Sequence, residues 1–101
     1  MRNKPQLRAK LTFMTKEQGG FTTPHSSGVK PLLKVKHDAY TSCVVWGDTD
    51  DQVFTPGAEY AVSIELPLWE HYRQWISAGM ALELYQGSRV VARGAIEEIT
   101  E

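Results

Sequence analysis

The sequence predicts an all-β fold: five or six short strands forming a small antiparallel barrel or sandwich, with one short helix near residues 68–78. Three observations predict it. Apolar and polar residues alternate strictly in several stretches, most clearly Leu7–Phe13 and Glu59–Leu66, and side chains alternate faces along a strand. Clusters of Gly, Pro, Ser and Asp separate these stretches at the spacing of small all-β domains, roughly eight to twelve residues. Only Leu68–Ala78 changes to a helical period. The 101 residues match one domain, 1–101, and leave no room for a second core.

Taken in order, Leu7, Ala9, Leu11 and Phe13 alternate with Arg8, Lys10, Thr12 and Met14 in a first strand. Glu17–Pro31 is rich in Gly, Pro and Ser and reads as a long loop with room for a short extended piece. Leu33 and Val35 alternate with Lys34 and Lys36 in a second strand, and the β-formers of Thr41–Trp46 make a third. Gly47–Asp51 is an acidic turn; Thr55-Pro56-Gly57 has Pro and Gly where a type II turn favours them. Tyr60, Val62, Ile64 and Leu66 share one face of the next strand, which Pro67 ends.

Leu68, Trp69, Tyr72, Trp75 and Ile76 then lie on one side at helical spacing, and Gly79 suits the left-handed residue that closes a helix. Met80, Leu82 and Leu84 resume strand alternation. Gln86-Gly87-Ser88 is a tight turn, and Arg89–Ile99 is the last strand, with Gly94 marking a bulge or sharp bend.

Composition narrows the function. Hydrophobic residues at 42% and charged residues at 23% exclude a disordered chain. No apolar run approaches the roughly 18 residues a membrane span needs, so no membrane partner is expected. Met1–Lys10 is basic with no apolar stretch behind it, unlike a secretory signal. Cys43 is the single cysteine, which fits a reducing, cytoplasmic location. Charge is divided unevenly. Residues 1–37 carry eight Lys and Arg against one acid, and residues 38–101 carry three Arg against eleven acids. Such halves either make a basic face for a polyanion or interleave when they fold together.

Lys16-Glu17-Gln18-Gly19-Gly20, then Thr23-Pro24, Gly28 and Lys30-Pro31, are followed by Pro56-Gly57, the strand to Glu65-Leu66, and Gly87, Arg89, Val91 and Gly94. In order and spacing these resemble the third domain of bacterial elongation factor Tu, from about Leu7 to Ile99. The resemblance implies a six-stranded antiparallel barrel with Greek-key connections. In that family the barrel holds aminoacyl-tRNA and meets the nucleotide-exchange factor, so the resemblance implies a binding role. No Gly-rich phosphate loop ending in Gly-Lys-Ser/Thr is present, so no nucleotide is expected. The family's tRNA-contacting Arg-His is here Phe21-Thr22, its Gln is Leu32, and its Arg before Pro is Lys30, which keeps charge without the bidentate fork.

Two sets of candidate binding residues follow. Arg8, Lys10, Lys30, Lys34, Lys36, Gly87 and Arg89 are candidates for an RNA-binding basic strip, the alternative being a solvated lysine face that protects strand edges. Phe21, Trp69, Tyr72, Arg73 and Trp75 are candidates for a partner-binding surface, since Trp, Tyr and Arg dominate interface hot spots. The competing reading makes the helix a cap on the barrel's end, with its aromatics in the core.

Catalytic constellations are absent from the local sequence. His25, His37 and His71 lack metal-ligand spacing, and Cys43 has no Cys or His neighbour at that spacing. His25, Ser26 and Ser27 have no orienting acid nearby. Asp48, Asp50, Asp51 and Glu59 echo a calcium loop, but Val53 stands where its glycine belongs. The expected function is therefore that of a stand-alone, non-enzymatic binding barrel contacting a protein partner, with tRNA or other RNA as the alternative partner and no cofactor or metal.

Overall fold

Strict alternation in β1 (Leu7–Phe13) buries Leu7, Ala9, Leu11 and Phe13 almost completely and turns Arg8, Lys10 and Thr12 outward. The computed structural model describes residues 5–19 and 25–100. The other elements are β2 (His25–Ser26), β3 (Leu32–Lys36), β4 (Ala39–Ser42), β5 (Val44–Trp46), β6 (Val53–Phe54), β7 (Glu59–Glu65), α1 (Trp69–Tyr72), β8 (Ala81–Gln86) and β9 (Arg89–Ile99). Thr15 caps a 3-10 turn, Lys16–Gln18, through a reciprocal bond with the Gln18 side chain. The fold is all-β, as the alternation predicts.

Seven strands form one antiparallel sheet in the order β4-β3-β8-β9-β1-β7-β5. Its two edges, β4 and β5, are consecutive pieces of one chain segment, so the sheet curls into a barrel. Val45 bridges Val29 on one side and stands opposite Ile64 on the other. Neighbours such as β1 and β9, or β3 and β8, are distant in sequence, as Greek-key connections require. A separate two-stranded ribbon pairs β2 with β6.

Three expectations need correction. The third strand begins at Ala39 and breaks at Cys43, because the chain changes partner there, from β3 to β7. The helix is one turn followed by a 3-10 turn, Arg73–Trp75; Leu68 offers no side-chain cap, and Ile76 is extended and buried. Gly79 adopts its left-handed φ of 87° beyond that end, inside the Ser77–Met80 turn. Gly94 is not bulged. The register slips elsewhere in β9, opposite Arg8–Ala9 and opposite Leu84–Tyr85. A Cβ at Gly94 would lie 1.8 Å from the Lys10 carbonyl oxygen, so this glycine permits close approach of two strands.

The interior is filled by the inward residues of every sheet strand, with Leu66, Trp69 and Ile76 closing over it. Phe13 stacks on Phe54 at 4.9 Å between ring centroids and meets His25 at 5.4 Å. Burial holds the His25 pKa below its ordinary value of 6.5. The unfolded chain then binds the extra proton, so stability contributed by His25 is present above about pH 6.5 and is lost as pH falls toward the folded pKa. Urea midpoints are expected to fall across that window, and His25→Gln to flatten part of the fall.

Cys43 is fully buried, donates from Sγ to the Pro31 carbonyl at 3.5 Å, and has its pKa pushed up to about 12 by desolvation. Iodoacetamide near pH 8 is expected to leave the native thiol unmodified and to react fully in denaturant, since the thiolate is the nucleophile.

Candidate functional site

β3 and β8 part company. Their pairing is limited to Leu32 opposite Tyr85 and Leu33 opposite Leu84. Continued register would set Lys34 against Glu83 and Lys36 against Ala81. The strands diverge there instead, around a cleft of about 720 Å³. Buried Val35 and Leu82 and half-buried Met80 supply its apolar lining, while Lys34, Lys36, His37, Glu83 and Arg93 supply its polar lining.

The acid among these residues is already engaged. Arg93 Nε donates to Glu83 Oε2 at 3.2 Å, and the Tyr85 hydroxyl donates to Glu83 Oε1 at 3.1 Å. Desolvation, reinforced by Glu83, raises the Tyr85 pKa and keeps the phenol protonated as the donor. Three cations against one acid leave the cleft with a charge of about +2, His37 counted as neutral.

One end of the cleft meets the helical segment. Lys36 Nζ lies 4.1 Å from the Trp75 ring centroid, a cation–π contact worth roughly 0.5–1 kcal/mol at an exposed site. Trp75, Tyr72 and His71 form a ring cluster with centroids 4.7–6.0 Å apart. Tyr72 and Trp75 are half-buried, so the cluster shows part of its aromatic surface. Toward the cleft's other end, exposed Leu32 and Tyr40 continue the apolar surface, with Tyr40 edge-on to Tyr85 at 5.3 Å.

The predicted basic residues fall into three groups. Lys34 and Lys36 share β3 and border the cleft. Arg8 and Lys10 lie on β1, with β8 and β9 between them and β3. There Arg8 donates to Ser63 Oγ at 2.7 Å, and Lys10 pairs with Glu97 at 3.7 Å. Lys30 precedes β3, while Gly87 and Arg89 belong to the β8–β9 hairpin, whose Gly87 has a φ of 62° and open space around it. The left-handed φ of Gly87 serves the hairpin turn.

The aromatic set also divides. Trp69 is 6% exposed and belongs to the core, which matches the capping reading of the helix. Arg73 is exposed, 3.3 Å from Glu70 and 5.9 Å from the Trp69 ring centroid. Tyr72 and Trp75 remain as the partly open surface. Phe21 lies outside the described residues. Sequence reasoning missed Glu83, Arg93, Tyr40 and Tyr85. Their outward positions in alternating strands were readable, but their convergence depends on cross-strand register.

Among the described residues, no group of three or more His, Cys, Asp and Glu is placed to hold a metal ion. No helix among them is long and apolar enough to cross a membrane. No family model matches the chain.

Proposed function

We propose that this protein is a non-enzymatic binding barrel whose partner is a protein. The observation that carries the reading is the half-open Tyr72–Trp75 pair, with Lys36 seated on Trp75 at the end of a basic cleft. Aromatic anchors beside cations are the composition of interface hot spots. The resemblance to the third domain of elongation factor Tu supports a binding role and makes the translation machinery the first place to look. The buried, free Cys43 accords with a reducing compartment, and we assign the module to the cytoplasm.

The test is a pull-down of the tagged protein from its own lysate, with and without RNase, run beside Trp75→Ala. The expected result is a defined protein that survives RNase and drops at least tenfold with Trp75→Ala. Recovery of tRNA alone, abolished by RNase, overturns the reading in favour of RNA binding, which would weaken steeply with salt. Undiminished capture by Trp75→Ala rejects the proposed surface.

A further inference from the structure

We infer that the cleft between β3 and β8 receives an extended acidic peptide segment of the partner, paired to the open strand edges as an added strand. The inference rests on the protein-binding reading and names its site and ligand chemistry. Both strands extend past their last shared pair, β3 through Lys34–Lys36 and β8 back through Glu83–Ala81, and among the described residues their ladder partners there lie only on the far sides, β4 and β9. Two parted edges face one cleft, and a strand edge is a template for another main chain. The unpaired stretch spans about 10 Å, enough for roughly three residues of an extended peptide.

The surroundings define the peptide. Half-buried Met80, backed by the core residues Val35 and Leu82, gives one face of the incoming strand an apolar contact that suits β-branched side chains. Side chains on its other face meet Lys34, Lys36 and Arg93, while Glu83 is held by Arg93 and Tyr85. The net positive charge selects carboxylates and repels a basic segment. Strand edges also favour a polypeptide over a phosphodiester chain, because they present alternating donors and acceptors rather than donors alone.

The probe is a random dodecapeptide library displayed on phage and selected on the intact protein. The expected winners alternate Asp or Glu with Val, Ile or Thr and shift the backbone amides of Lys34–Lys36 and Ala81–Glu83 in NMR titrations. Lys34→Glu with Lys36→Glu is expected to lower their affinity at least tenfold, with the urea midpoint falling only by the loss of the Lys36 contact to Trp75. N-methylating alternate peptide amides is expected to abolish binding, which a purely electrostatic contact would not require. Winners without acidic residues, no winners, or amide shifts confined to 69–75 overturn the proposal. So does a tRNA or a second copy of the chain that shifts these cleft amides when the acidic peptides do not. If lysate capture is RNase-resistant and lost with Trp75→Ala but indifferent to Lys34→Glu alone, the cleft assignment fails while the protein-binding reading stands.

Discussion

Gly94→Ala is expected to destabilise the barrel by about 3 kcal/mol or more, a large share of the roughly 5–15 kcal/mol that holds a domain. The added Cβ would stand 1.8 Å from the Lys10 carbonyl oxygen, 2.8 Å from its carbon and 3.0 Å from Leu11 Cα, all of them backbone atoms. A flexible side chain could swing aside; a strand in a ladder cannot. β9 is held between β1 and β8, with Gly94 opposite Leu11 on one side and Leu82 on the other. Retreat from Lys10 would push β9 into β8. Urea unfolding followed by circular dichroism is the measurement. Ala95→Gly is the control, since Ala95 is exposed and its change is expected to cost about 1 kcal/mol or less. An unchanged midpoint for Gly94→Ala would show that the two strands are not so closely apposed.

Trp69→Ala is expected to cost about 3–5 kcal/mol, and Trp75→Ala much less. The two residues are six positions apart, but only Trp69 is sealed into the core with Leu66 and Ile76. Truncating it opens a cavity over the barrel's end. Trp75 is half-buried, with Lys36 over its ring and Tyr72 and His71 beside it, so its loss removes surface contacts. The expected pattern is a lowered urea midpoint for Trp69→Ala with native near-ultraviolet dichroism largely lost. Trp75→Ala should keep the midpoint within about 1 kcal/mol and lose partner capture. Equal destabilisation by both would make the whole helical segment core and remove the proposed surface.

These predictions rest on features of unequal legibility. The inward faces of β1, β3, β7 and β8 are readable from alternation alone, because a strand with one buried face must place apolar residues at every second position. Thr55-Pro56-Gly57 is readable for a related reason. Its Gly57 takes a φ of 88°, and the Ala58 N–H closes the turn on the Thr55 carbonyl, as type II geometry asks. The helix was readable as a change of period, but its length was not. Ile76 leaves the helix to fill the core, and that demand comes from the barrel rather than from neighbours in sequence.

The class of fold, the apolar face of each main strand and the stock of cations and aromatics available for binding are all written in the order of residues along the chain. Those properties follow from local pattern, since alternation and turn chemistry act over a few residues. Tertiary structure alone decided which of those residues meet. It put Trp69 inside and left Trp75 half-open, set two strands between Lys10 and Lys34, and brought Arg93 to Glu83 beside the cleft. It also decided where β3 and β8 separate. Pairing between distant strands depends on closing the whole sheet, and no local stretch of sequence carries the register that closure imposes.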